Sequence, residues 1–422
     1  MKRAVYNLLF LLVYPFLLPG FLVRMLRRGG YAARMGDRFA LYPDGLFAKD
    51  RQPADGFVWI HAVSVGEVQV AGQLMRAWRA VEPDVRFCLS TTSSTGWKMA
   101  EKEVEERGGS GDVLIYNPLD FPNFVKSALK TVRPRAIVLT ESEIWPNFIW
   151  KAKDCGIPVF LVNARVSDRS APRYRAARWF FADVFGAFAR IFAQSDLDAE
   201  RLVAAGAPRD RVEVTGSFKF DVAKRNEAKE REMRAWIGEG RVLLGGSTWP
   251  GEDEVLLRAY ATLLKAMPDL RLVLAPRHFE KADAVEANIR KHGFACVRRS
   301  RGESGDGVCL ADTTGELMGL YGIADAVFVG KSLCAHGSQN MIEPCLCGKP
   351  TVVGPYTENF RPVMCDLLAA DAVVQVKDES ELVARLGELF ADTALGARAA
   401  AAVARRTGVV PRCVAYLREA LA

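Results

Sequence analysis

From residue 57 onward, short β-branched runs alternate with amphipathic stretches. Residues 57–64 (FVWIHAVS), 85–91, 136–140, 158–163 and 190–194 read as strands. Apolar positions at helical spacing lie between most of them, as over 68–81. Residues 221–239, dense in Lys, Arg and Glu, read as a helical connector, after which the alternation restarts at 241–245, 271–275, 326–329 and 351–353. Repeated βα alternation builds a parallel sheet covered on both faces, and the restart makes two. The pattern therefore predicts an α/β protein with two doubly wound, Rossmann-like domains. Such domains bind ligands at the carboxyl ends of their strands, so a substrate cleft between the two is expected. The expected divisions are 29–216 for the N-terminal domain, 217–240 for the connector and 241–422 for the C-terminal domain, whose last helix can pack back on the first domain.

Ahead of these domains, residues 4–23 contain no charge, and Asn7 is their one strongly polar residue. As a helix this run is ~30 Å long, about one hydrocarbon core. Pro15 and Pro19 interrupt its second half, which equally suits a shallow insertion into one leaflet. Lys2 and Arg3 precede the run, whereas Arg24, Arg27, Arg28, Arg34 and Arg38 follow it. That surplus places the main body on the cytoplasmic face of a membrane. Residues 1–28 are thus expected to be an uncleaved anchor. Against a cleaved signal peptide stand the length of the run, the arginines directly after it and the lack of an A-x-A site.

Composition narrows the partners. A chain of 422 residues, half hydrophobic and a quarter charged, is globular rather than disordered. Its net charge of +7 points to an acidic partner. No Lys/Arg block or RNA-type aromatic motif supports nucleic acid as that partner. Nine cysteines, with Cys345/Cys347 the one close pair, and four histidines give no metal-binding spacing. The odd cysteine count fits a reducing compartment. No G-x-G-x-x-G follows a strand, and the Gly330–Ser332 G-K-S has Asp325 where a P-loop needs its first glycine. No G-x-S-x-G elbow occurs either.

Polar loops directly after the strands carry the candidate chemistry. S-V-G-E puts Glu67 at a helix start, as a base for a sugar hydroxyl or as a helix-stabilising carboxylate. The hydroxyl-rich 91–96, with Ser93 and Ser94, serves equally as a phosphate cradle or an N-cap. T-E-S-E-I-W-P-N brings Glu141, Glu143 and Trp145 to a strand end; residues two apart on an extended strand point in opposite directions, which argues against a carboxylate dyad. Arg165, in N-A-R-V-S-D-R-S, meets acidic groups or sits in a solvated turn. Further along come Gly216, Ser217 and Lys219 at the junction, Ser247 in a glycine-rich turn, and Arg277 and His278 after a strand. Asn340 and Glu343 open a later helix.

Together and in this order, the motifs resemble the 3-deoxy-D-manno-octulosonic acid (Kdo) transferases of lipopolysaccharide synthesis. The match includes Y-A-A-R-M-G-D-R-F, H-A-V-S-V-G-E, E-S-E-I-W-P-N, N-A-R-V-S-D-R-S, V-T-G-S-F-K-F-D, P-R-H and E-P…G-K-P…G-P…N-F, and covers nearly the whole chain. The resemblance implies a GT-B-type fold, CMP-Kdo as donor and a lipid A precursor of the lipid IVA type as acceptor. It further implies an inverting, metal-independent transfer without a cofactor at the inner membrane. By the same resemblance Glu67 is the general base, Arg277 lies near the CMP phosphate and Glu343 at the ribose. Gly216, Ser217 and Lys219 match the junction motif, and Ser247 lies in the donor-side turn. Ser217 stands where the family usually has asparagine, and Gly337-Ser338-Gln339-Asn340-Met341-Ile342 stands for G-G-H-N-P-L. Tyr356 replaces the histidine of G-P-H. Rival readings are a GT-B enzyme using another nucleotide sugar and an exported two-lobed solute-binding protein.

Overall fold

The computed structural model describes residues 1–28, 32–105, 111–221 and 225–421. The expected start of the N-terminal domain at residue 29, and Tyr31 of Y-A-A-R-M-G-D-R-F, lie outside the described residues. The chain forms two compact units, Met1–Phe218 with Gly408–Ala422, and Lys219–Thr407.

The first unit contains strands β1 (Phe57–His61), β2 (Phe87–Thr91), β3 (Val113–Tyr116), β4 (Pro134–Thr140), β5 (Val159–Ala164), β6 (Arg190–Ala193) and β7 (Val212–Val214). They pair in parallel in the order β3-β2-β1-β4-β5-β6-β7. Strand residues alternate between two cores. Trp59, Ile137 and Leu161 face one, while Val58, Ile60, Val138 and Phe160 face the other. Burial on both faces explains why these strands are continuous apolar runs. The first strand stops at His61 instead of continuing to Ser64, because Ser64 is the N-cap of helix Val65–Val81. The C-terminal helix Val409–Glu419 completes this unit, burying Val409, Val410, Cys413, Val414 and Leu417 in the second of its cores.

Residues Lys2–Arg28 form one helix. Positions 3, 6, 7 and 10, the spacing of one helix face, contact the first unit. Leu8, Leu9, Leu11, Leu12 and Phe16 are exposed. Among the described residues no helix is long and apolar enough to cross a membrane.

The second unit contains β8 (Val242–Thr248), β9 (Arg271–Pro276), β10 (Cys296–Arg298), β11 (Val308–Leu310), β12 (Ala326–Val329), β13 (Thr351–Val353) and β14 (Val374–Gln375). Its parallel order is β10-β11-β9-β8-β12-β13-β14. Within the charged connector, helix Glu227–Ile237 starts at Asn226, whose side chain accepts from the Lys229 amide. Met233, Trp236 and Ile237 of that helix are buried in this unit's core.

Candidate functional site

In each sheet the strand order reverses direction beside its first strand. The crevice at the carboxyl ends of the two strands flanking that point is where such folds bind ligands. In the first unit these strands are β1 and β4. Glu67 follows β1, and Glu141 and Glu143 follow β4.

Glu67 occupies the third position of helix Val65–Val81 and folds back over its start. Its Oε2 accepts from the Val63 amide at 2.8 Å, and its Oε1 accepts from the Ser64 hydroxyl at 3.1 Å. The Thr140 hydroxyl at the end of β4 lies 3.5 Å from Oε2. The residue is 8 % exposed, so the carboxylate is fixed with only an edge open to an incoming hydroxyl. The glutamate thus stabilises a helix start and stands at the reversal point of the sheet.

The two glutamates after β4 diverge. Glu141, with backbone φ of +52°, accepts from Asn163 Nδ2 at 3.2 Å. Glu143 turns toward β1, where its Oε2 accepts from Trp145 Nε1 at 2.9 Å and lies 3.8 Å from His61 Nε2. Burial, the negative charge of Glu67 and that of Glu141 push the Glu143 carboxyl up to about 7, against the Trp145 hydrogen bond. His61 is fully buried, its Nδ1 2.9 Å from Ser90 Oγ, and burial lowers it to about 3, which keeps the imidazole neutral. Sequence reasoning named Glu141 as the acceptor-side candidate, yet Glu143 is the side chain electrostatically linked to Glu67. The signal that distinguishes them is the tryptophan two residues later. It holds Glu143 inward.

Ser93 is an N-cap: its Oγ accepts from the Gly96 amide at 3.0 Å and donates to the Val63 carbonyl at 2.7 Å. That second bond ties its loop to the Glu67 turn. Ser94 is buried at the start of helix Ser94–Glu105. Arg165 is exposed beside Glu141, to whose carbonyl its amide donates at 3.3 Å. Gly216 has φ of +101°, a left-handed conformation that favours glycine, and an added Cβ would touch Val409 at 3.1 Å. Ser217 next to it is buried.

The reversal point of the second sheet lies between β8 and β12. Glu252, fully buried, joins the loops after both strands. Its Oε2 accepts from the amides of Trp249 and Lys331 at 2.8 Å each, and its Oε1 from those of Ser332 and Leu333 at 3.0 Å each. The amide-rich G-K-S loop thus already contains an anion, the protein's own carboxylate. It is not an open phosphate cradle.

A pocket of about 140 Å³ opens nearby, lined by Ser247, Arg277, Thr313, Thr314 and Gly315 among others. Ser247 adopts a left-handed φ of +54°. Arg277 is exposed, with no ion pair among the described residues, and its amide donates to the Thr248 carbonyl at 3.0 Å. The Thr313–Gly315 lining was missed by sequence reasoning; D-T-T-G-E directly after the short strand β11 is the signal that could have found it. His278 faces elsewhere, with Nδ1 3.1 Å from Glu280 and its ring edge-on to Trp249.

Glu343 accepts from Asn340 Nδ2 at 3.0 Å, while Asn340 Oδ1 accepts from the Ile342 amide at 3.1 Å. Burial raises the Glu343 carboxyl; the Asn340 bond and the charge of Arg277 pull it down. Ser338, replacing a family glycine, holds φ at +62°. The ring of His336 lies on Tyr356, with centroids 3.9 Å apart, so the replacement at G-P-Y has a partner in the altered loop. Lys219 Nζ stands 4.5 Å from the ring centroid of Phe360, at the N-F motif.

Comparison with known proteins gives a consistent result. The family model described as 3-deoxy-D-manno-octulosonic-acid transferase (kdotransferase) matches residues 33–222. A 3-deoxy-D-manno-octulosonic acid transferase of Haemophilus influenzae is 31 % identical over 394 residues, 92 % of this chain and 90 % of the relative. That of Bordetella pertussis is 36 % identical over 364 residues, covering 82 % and 83 %. Among solved structures, UDP-GlcNAc 2-epimerase from Neisseria meningitidis is 12 % identical but aligns over 86 % of this chain and 99 % of its own, with a TM-score of 0.58. At that identity the likeness speaks for the fold alone, the two-domain parallel-sheet architecture of GT-B type. Motif order, fold and near-full-length relatives agree, and the chain belongs to the 3-deoxy-D-manno-octulosonic acid transferase family of glycosyltransferases.

Proposed function

We propose that this Kdo transferase takes CMP-Kdo as donor and a lipid A precursor of the lipid IVA type as acceptor, and that transfer inverts the anomeric centre. The observation that carries the reading is Glu67, held by two hydrogen bonds at the reversal point of the first sheet with Glu143 beside it. Glu67 takes the proton of the acceptor hydroxyl as its oxygen attacks the anomeric carbon of Kdo. The bond from that carbon to the CMP phosphate oxygen breaks, and CMP leaves with the electron pair. Arg277, exposed at the second unit's pocket, stabilises the charge gained by the phosphate. Glu343, held by Asn340, receives the ribose hydroxyls.

The acceptor's acyl chains confine it to a membrane, and the exposed Leu8, Leu9, Leu11, Leu12 and Phe16 supply an apolar helix face for holding the enzyme at the inner membrane's cytoplasmic surface. The arginines of the chain favour the same anionic surface. Incubation with CMP-Kdo and a tetra-acylated lipid A precursor, with products counted by mass and their anomeric configuration read by NMR, tests the reading. Transfer from a UDP-sugar in place of CMP-Kdo, or a retained configuration, refutes it.

A further inference from the structure

The N-terminal helix does more than present an apolar face. Asn7, the one strongly polar residue in the 4–23 run, accepts from Asn147 Nδ2 at 2.7 Å. Its neighbour Tyr6 donates from Oη to Asp120 Oδ2 at 2.8 Å. Asp120 is 2 % exposed, and its carboxylate also accepts from the backbone amides of Asn147 and Phe148 at 3.0 and 2.8 Å. Those two amides belong to the first turn of helix Pro146–Asp154, which has no capping side chain of its own at Trp145. Asp120 is therefore the cap, supplied from a distant segment, and Tyr6 braces it.

The same turn ends the loop 141–147, which carries Glu143 toward His61 and the charge of Glu67. The ring of Tyr6 packs edge-on against Trp150 and 5.8 Å from Phe180, so the hydroxyl is held in register by apolar contacts. Arg3 adds an ion pair to Asp154 at 2.7 Å at the other end of the helix. A tether needs only apolar surface. These polar groups reach inward to the loop beside the candidate base instead.

We propose that Tyr6 and Asn7 are positioning residues of the transfer reaction, acting through Asp120 and Asn147 to fix the 141–147 loop, so that the membrane-facing helix is a working part of the acceptor side as well as its attachment. The inference rests on the acceptor-side role given above to Glu67 and Glu143. It makes the docked turns lie alongside the first unit and leaves Leu8, Leu12 and Phe16 to the lipid.

The test uses the full-length protein with acceptor dispersed in detergent, where recruitment to a bilayer does not limit the rate. Tyr6→Phe keeps the ring contacts and removes only the hydroxyl; Asn7→Ala removes the second link. Each is expected to lower kcat about tenfold, the effect of losing one hydrogen bond that holds the loop. KM for CMP-Kdo and sedimentation with phosphatidylglycerol vesicles should stay at the wild-type level. Amide hydrogen exchange over 141–147 should quicken in both variants. Wild-type kcat in both variants, or unaltered exchange over 141–147, overturns the proposal. If the wild-type protein moves no Kdo, the functional reading fails, and the exchange measurement still decides whether the helix fixes the loop.

Discussion

The amide of Glu67 donates to Ser64 Oγ at 3.3 Å, and the Ser64 hydroxyl donates back to Glu67 Oε1 at 3.1 Å. This reciprocal capping pair makes the proposed base part of a helix start. Glu67→Gln retains the size of the side chain and most of the cap. It should reduce turnover by roughly two to four orders of magnitude while leaving CMP affinity, read by calorimetry, unchanged. Ser64→Ala should instead cost ~1 kcal/mol in denaturant unfolding, with a smaller loss of rate because the Val63 amide still holds the carboxylate.

Glu143 is shaped by burial and by its charged neighbours. Its carboxyl is raised from 4.5 to about 7 in the folded protein. Between these values the native state binds more protons than the unfolded one, so this group makes stability fall as pH rises through the window and adds no slope above it. Glu143→Gln, neutral at every pH, should gain stability over the wild type from about pH 4.5 to 7, by on the order of 3 kcal/mol. Melting temperatures of the two proteins across that range check the sign. A difference that shrinks with rising pH contradicts the assignment.

Glu252 concentrates five backbone hydrogen bonds on one buried carboxylate. In Glu252→Gln an NH₂ group replaces one acceptor oxygen and faces amide donors. We expect a stability loss of about 2 kcal/mol or more. The donor KM should rise more than kcat falls, because the β8 and β12 loops lose their shared partner. Steady-state kinetics against CMP-Kdo separates the two constants.

Gly330 offers a purely steric test in the same region. A Cβ there would stand 2.2 Å from the Ser247 carbonyl oxygen and 2.6 Å from Thr248 Cα, both backbone atoms with no room to yield. Gly330→Ala should destabilise by about 1–3 kcal/mol. CMP binding, measured by calorimetry below the melting transition, should weaken because Ser247 lines the pocket.

Much of this arrangement was legible before any coordinates. Strands buried on both faces write themselves as apolar runs, so β1, β2, β4, β5, β6, β8, β9, β12 and β13 are readable as strands. The strands missed, β3, β7, β10, β11 and β14, have two to four residues each, a length at which periodicity gives no signal. The start of helix Val65–Val81 shows the same limit: Val65-Gly66 has no amphipathic signature, and only the Ser64 cap marks it. At the site, the positions of Glu67 and Arg277 followed from their place after strands. The choice of Glu143 over Glu141 did not, because it depends on a left-handed residue and on a tryptophan reaching back. Glu252 was invisible as well, since its carboxylate bonds to five backbone amides, which leave no mark on the identity of the residues that supply them.

The helix Val409–Glu419 returns to the unit in which the chain began, with Arg412 Nη2 reaching the Thr215 carbonyl at 3.2 Å. The second unit is consequently an insertion within the first, entered near 219 and left near 407. Loss of residues 409–419 would thus injure the first unit, not the second, which directly precedes them in the chain. The nascent Rossmann sheet must wait on the ribosome for its final helix until the inserted half has emerged.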